Sequence, residues 1–277
     1  MKKLIMLCVM ATLCTSHSFA QQLNTDDYKF FNHMSAGVSL GLDGIGIEIA
    51  APLTYNFAVR TGYTFMPKFK YTDDLDLTNK DGSLSGAFLE EKVDLEGTLN
   101  KNDFKLLFDW YPFKNSSFHA TAGFYVGSST VVKIRNKKAF LKEGYWGNSG
   151  IEFGDPTLGP EYRYTMISDQ EGNVRAEIKA NSFKPYVGIG FGRAVPKKRV
   201  GVQFDCGVQF WGTPKVLTHM NYVDRNTGEV VTRYEKIKRN RILNEKKDYQ
   251  DIKDGIGTIQ KIGVYPVLTL RINGRIF

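Results

Sequence analysis

The chain has 277 residues, 42% of them hydrophobic and 13% aromatic, with a mean hydropathy of −0.30. Lys and Arg outnumber Asp and Glu 37 to 29, a formal charge of +8. Beyond the first residues no run reaches the about 20 apolar residues a membrane-spanning helix needs, which excludes a helical membrane protein.

The chain opens MKKLIMLCVMATLCTSHSFAQQ. A positive start (Lys2, Lys3), an apolar stretch from Leu4 to Leu13 and the small-residue end Ser18-Phe19-Ala20 predict a secretory signal peptide cleaved after Ala20. The expected division is a signal over residues 1–20 and one mature domain over residues 21–277. A lipid-anchor reading would use Cys14, but Leu13 stands where a small residue is usual. Cleavage removes Cys8 and Cys14, leaving Cys206 and no internal disulfide. Cys206 sits in an apolar row and reads as a strand residue rather than a redox or nucleophilic site.

Eight segments of the mature chain alternate apolar and polar residues, the period of a strand with two different faces. Met34 to Leu42 sets Val38, Leu40 and Leu42 opposite Gly37, Ser39 and Gly41. After the turn signal Asp43-Gly44, Ile45, Ile47 and Ile49 oppose Gly46 and Glu48. Phe57 to Phe65 sets Val59 and Tyr63 against Arg60 and Gly62, and Phe104 to Trp110 sets Leu106 and Phe108 against Lys105 and Asp109. Phe118 to Val126 sets Ala122 and Phe124 against His119, Thr121 and Gly123. Pro185 to Phe191 follows, then VGVQFDCGVQFW (Val200–Trp211), with Val202, Phe204 and Cys206 against Gln203 and Asp205. Last come Leu268, Leu270, Ile272 and Ile276, against Thr269, Arg271, Asn273 and Arg275.

The connections alternate in length. Short ones sit at Ala51–Asn56, Pro112–Ser116 and Ala194–Lys198, and long polar ones run over 67–102, 133–182 and 213–261. Short periplasmic turns, long external loops and an even strand number are the plan of a bacterial outer-membrane barrel. The predicted fold is therefore all-β: an antiparallel up-and-down transmembrane β-barrel of eight strands, with ten as the alternative if an external hairpin also crosses.

One face of these segments is almost free of charge, while the other holds Glu48, Arg60, Lys105, Asp109, His119, Asp205, Arg271 and Arg275 among many glycines. Glycine weakens strands and is rare on a solvated face. It suits the inside of a narrow barrel filled by side chains. So the apolar row is expected to face lipid, and the eight charged or titratable residues are expected to form an ion network in the lumen. Trp110-Tyr111, Phe113, Tyr55, Phe57 and Trp211, at strand ends, read as interfacial girdles.

The runs FKLLFDWYPF (Phe104–Phe113), FHATAGFYVG (Phe118–Gly127), FKPYVGIGFG (Phe183–Gly192), VQFDCGVQFWGTPKV (Val202–Val216) and YPVLTLRINGRIF (Tyr265–Phe277) resemble an uncharacterised family of small Gram-negative outer-membrane barrels, OmpA/OmpW-like and eight-stranded. The resemblance covers the strands, somewhat over a third of the mature chain, and implies fold and location but no activity. It also implies the barrel-assembly machinery as a partner, since such chains end in an aromatic residue read during insertion. Phe277 is that aromatic, one position out of step with Ile272 and Ile276.

The loops carry their own signals. DQEGN (Asp169–Asn173), DRNTGE (Asp224–Glu229) and LTNKDGS (Leu77–Ser83) predict hairpin tips, and NEKKDYQDIKDGI (Asn244–Ile256) predicts a short helix. The basic run KIKRNR (Lys236–Arg241) suits lipopolysaccharide phosphates. No HExxH, GxSxG, Walker loop or metal-ligand spacing occurs, so no catalytic, cofactor or metal site is assigned. His119 is expected to pair with acids in the lumen. An exported chain without a nucleic-acid fold pattern is not expected to bind nucleic acid. The leading expectation is a monomeric, non-enzymatic outer-membrane protein acting through its external loops. Narrow porin-like transport and a lipid-modifying enzyme are the alternatives.

Overall fold

The computed structural model describes residues 30–76, 89–90, 92–147, 150–154, 163–223, 227, 229–236, 261 and 263–276. The expected signal peptide, the helix over 244–256, residues 237–241 of the basic run and Phe277 lie outside these. In chain order the strands are β1 (Ser35–Gly41), β2 (Gly44–Pro52), β3 (Phe57–Phe65), β4 (Phe69–Asp76), β5 (Lys92–Leu99), β6 (Asn102–Trp110), β7 (Phe118–Gly127) and β8 (Thr130–Asn136). There follow β9 (Gly150–Gly154), β10 (Arg163–Ile167), β11 (Arg175–Lys179), β12 (Phe183–Phe191), β13 (Val200–Phe210), β14 (Lys215–Val223), β15 (Val230–Lys236) and β16 (Val264–Arg275).

Eight of them close a barrel in the order β1-β16-β13-β12-β7-β6-β3-β2, every pair antiparallel. These are the eight alternating segments, and among the described residues no ninth or tenth strand enters the wall. Because directly paired residues share a face, the registers sort the side chains. Val202 lies across from Ile272, Ile189 from Cys206 and Phe108 from Ala122, all outward. The outward rows of all eight strands contain no Asp, Glu, Lys or Arg. They leave Leu40 65%, Ile47 63% and Val202 58% exposed, although burying such side chains is what drives a soluble chain to fold.

The Asp43-Gly44 turn is a tight hairpin pairing Gly41 with Gly44, and Gly44 adopts φ +108°, open to glycine at little cost. Other glycines give up space. A Cβ on Gly190 would come within 2.6 Å of His119 Nε2, and one on Gly188 or Gly207 within 2.5 Å of the Tyr186 hydroxyl. Glycines on the inner face therefore make room for longer side chains crossing the lumen.

The long connections are a second sheet rather than separate loops. Past a belt of irregular backbone at 66–68, 100–101, 128–129, 180–182 and 211–214, the walls of β3, β6, β7, β12 and β13 resume as β4, β5, β8, β11 and β14, in the same neighbour order. Hydrogen bonds cross the belt itself, as from Met66 N–H to Lys101 O and from Asn181 N–H to Trp211 O. The Leu77–Ser83 tip and most of the DRNTGE tip lie outside the described residues; the strands on either side of them, β4 with β5 and β14 with β15, are paired. The Asp169–Asn173 expectation needs correction. A turn forms there, with Asp169 Oδ1 accepting from Asn173 N–H at 2.8 Å, but β10 and β11 do not pair with each other. Nine-residue β14 accommodates both along one edge, β11 at 215–218 and β10 at 220–221.

Candidate functional site

The lumen is filled from end to end, and the side chains that fill it come from the polar rows of the barrel strands. At the end where β1 begins, β16 ends and the three short turns lie, the β12–β13 connection folds inward as a plug. The Ala194 carbonyl accepts from Ser35 Oγ at 2.6 Å, Asn273 Nδ2 at 2.8 Å and Arg271 Nη1 at 3.0 Å, while its N–H donates to the Tyr111 hydroxyl at 2.9 Å. Ala194, Val195, Tyr111, Ala50 and Ala58 pack together there. The Arg193 guanidinium lies over the rings of Tyr111 and Tyr55, 4.7 and 5.3 Å from their centres, in cation–π range.

Above the plug sits the ion network. Arg60 spans the lumen between two carboxylates: Nε to Asp109 Oδ2 at 2.8 Å, and Nη1 to Asp205 Oδ2 at 2.9 Å. Planar guanidinium geometry suits such paired contacts. Glu48 receives Lys105 Nζ at 2.7 Å and stands 3.6 Å from Arg271 Nε and 3.7 Å from Arg60 Nη1. His119 Nε2 meets Asp205 Oδ1 at 2.8 Å and its Nδ1 faces the Ser117 carbonyl at 3.2 Å. Gln203 bridges Arg271, at 3.1 Å, to this histidine.

The next layer is aromatic. Tyr125 and Tyr186 meet edge to face at 5.5 Å among Leu107 and Val267. Asp43 reaches down from the tight turn to accept from Thr269 Oγ1 at 3.0 Å. At the outer mouth Asp103 holds Lys184 at 2.6 Å and Lys101 at 3.3 Å. Lys101 Nζ also donates to Gln209 Oε1 at 2.9 Å and lies within 6 Å of the Tyr265, Trp211 and Tyr125 rings. Trp211 stacks on Tyr265 at 4.5 Å over this group.

Among the described residues the buried lumen charges are Asp43, Glu48, Asp103, Asp109 and Asp205 with Arg60, Lys101, Lys105, Lys184 and Arg271, His119 beside them and Arg193 in the plug. Seven of the eight sequence candidates lie in this buried set. Arg275 does not: it keeps the inward register but stands exposed at the rim, because β16 ends there. Three further corrections concern aromatics. Tyr111 and Trp211 point into the lumen instead of the membrane interface, and Tyr55 lies against the plug; Trp110, Phe57 and Phe113 are exposed as expected.

Lys101, Asp103, Lys184 and Asp43 were not singled out from the sequence. Alternation would have found Asp103 and Lys184, each one step beyond a segment's assigned end. Lys101 and Asp43 lie in breaks where the period is lost.

No protein-family model and no curated protein matches the chain. Among solved structures it is similar to CarO of Acinetobacter baumannii, at 15% identity and TM-score 0.43, covering 87% of this chain and 96% of that one. A second Acinetobacter baumannii structure, CarO2, gives 17% identity and TM-score 0.45 over 88% and 98%. Both likenesses are weak in sequence and in superposition.

Proposed function

We propose that this chain is an integral outer-membrane barrel protein, monomeric and non-enzymatic, whose sealed barrel anchors a folded platform on the outer surface for a structural or recognition role. The observation that carries the proposal is the outward face of the barrel. Eight strands of 7 to 12 residues present Val, Leu, Ile and Phe all round without one charged side chain. Monomeric soluble proteins rarely expose contiguous apolar patches beyond a few hundred Å², whereas strands of about 9–11 residues with an apolar outer band are what a bilayer requires. The signal-like residues 1–20 supply the export such a location needs, and insertion would proceed through the barrel-assembly machinery.

The packed lumen favours an anchor over a conduit. Arg60, Arg271, Gln203, His119 and Tyr186 are nearly inaccessible, and each interior charge has an opposite partner or a hydrogen bond. His119 is committed to Asp205, Gln203 and the Ser117 carbonyl. Fractionation should recover the mature chain in the outer membrane, resistant to carbonate and heat-modifiable on gels. In planar bilayers the purified protein should show no stable conductance steps. Recovery as a soluble periplasmic protein would overturn the membrane reading, and reproducible steps lost on changing Asp205 or Arg271 would replace the anchor with a transporter.

A further inference from the structure

The outer sheet has two faces, and they are settled by continuity with the barrel. Leu99, Val131 and Val216 lie on the side above the lumen; Leu99 and Val131 pack with Trp211 over Lys101, and Val216 is buried. The opposite side continues the lipid-facing wall upward. On β8, β11 and β14 that side carries Lys133, Arg135, Arg175, Lys179 and Lys215 against one acid, Glu177. The strands are adjacent, about 5 Å apart, so these five cations form one patch.

Two features of the patch run against what a sheet selects for itself. Arg135 lies directly across from Arg175, and Lys179 directly across from Lys215. Like charges at such positions destabilise a sheet. Neighbouring acids compensate in part: Glu96 takes Arg135 at 3.0 Å, Asp169 takes Arg175 at 2.9 Å and Glu177 takes Lys179 at 3.1 Å. Lys133 and Lys215 are exposed and have no carboxylate within salt-bridge distance among the described residues.

The position is equally specific. Lys179 and Lys215 begin the outer sheet immediately beyond the irregular belt, above outward Phe183 and Phe210, which end the apolar rows of β12 and β13. Phosphates of an outer-leaflet lipid lie at the same height, just past the hydrocarbon.

We infer that this patch is a docking surface for the phosphates of the surrounding outer-leaflet glycolipid, lipopolysaccharide, with Lys133, Lys179 and Lys215 as its principal contacts. The inference rests on the membrane reading above and adds a partner to it. The phosphates neutralise the Lys179–Lys215 pair, since Arg135 and Arg175 already hold Glu96 and Asp169, and the platform is thereby fixed in height and orientation against the membrane surface.

The full mature chain is refolded into phosphatidylcholine vesicles containing either bisphosphorylated lipid A or lipid A stripped of its phosphates, extracted mildly, and its retained lipid A counted by native mass spectrometry. Retention of the phosphorylated form alone is expected. Lys133→Gln/Lys179→Gln/Lys215→Gln should lower it about a hundredfold, because each such cation at an anionic surface contributes roughly fivefold. A control, Lys114→Gln/Lys197→Gln/Lys198→Gln on the short-turn end, should leave it unchanged. Equal retention of both lipids, or no effect of the first triple variant, overturns the inference while leaving the barrel in place. Failure of the wild-type chain to enter vesicles, read from gel mobility, overturns the membrane reading instead.

Discussion

Arg60→Met tests the energetic core of the lumen. Arg60 is 2% exposed and offers its guanidinium to Asp109 at 2.8 Å, Asp205 at 2.9 Å and Glu48 at 3.7 Å. Methionine fills much of the stem volume but removes the charge, so Asp109 and Asp205 are left facing each other with Thr121, Gln203 and His119 as remaining neighbours. Glu48 keeps Lys105 and Arg271. Removing one member of a buried ion cluster costs about 3–5 kcal/mol, because the stranded partners stay desolvated. Net stabilities of folded domains are only about 5–15 kcal/mol, so the loss should show as a large fall in the urea midpoint of vesicle-inserted protein, followed by tryptophan fluorescence and gel mobility. Replacing the acids too, as Arg60→Met/Asp109→Asn/Asp205→Asn, should recover more than half of the loss, since removing a whole buried cluster is often close to neutral. A single variant within about 1 kcal/mol of wild type, the cost of an ordinary substitution, would refute the view that these charges are held dry and paired.

Val202→Arg, on the lipid face across from Ile272, should cost about 2–4 kcal/mol at mid-bilayer depth, while adjacent Gln203→Arg should respond to Asp109 and Asp205 instead; matching urea midpoints for the two would contradict the face assignment. Gly190→Ala should be destabilising beyond the about 1 kcal/mol of a typical substitution, since its Cβ would meet Phe204 O at 2.4 Å and His119 Nε2 at 2.6 Å. In the outer sheet burial works to raise the Glu177 pKa, but hydrogen bonds from Tyr234, at 2.7 Å, and from Lys179 outweigh it and hold the carboxyl below its ordinary value of 4.5. The stability this confers is present above pH 4.5 and is lost as pH falls further; hydrogen-exchange protection factors of β11 and β15 amides, taken relative to the intrinsic exchange rate at each pH, should therefore fall in acid, and no longer do so in Glu177→Gln.

Strand identity was legible because a closed barrel imposes two environments on alternate residues, a polar packed interior and an outer row free of charge. Val202 beside Gln203, or Phe108 beside Asp109, carries that contrast in adjacent letters. Facing followed from the same rows, together with the glycines that let His119 and Tyr186 cross the lumen. What period-2 reading missed lies where the period slips. At 66–68, 128–129 and 211–214 irregular backbone interrupts the alternation, so the extensions β4, β8 and β14 read as loops. Trp211 was misplaced for the same reason: it follows the last residue of β13 and turns inward onto Tyr265. β10 and β11 illustrate a different limit. Their turn is local and legible, but their partner, β14, lies far along the chain, Thr165 of β10 pairing with Asn221 and Ala176 of β11 with Thr218, and nothing in either strand names it.

The central claim, that the apolar row faces lipid, is tested most directly at Cys206, the single cysteine of the chain from Gln21 onward, exposed on the outward row of β13 midway along the strand. A small apolar fluorophore attached there and reconstituted in vesicles should be quenched strongly by lipids brominated deep in their acyl chains and hardly at all by aqueous iodide. Strong iodide quenching with no response to brominated lipid would mean that this face meets water, and the barrel would not be a membrane protein.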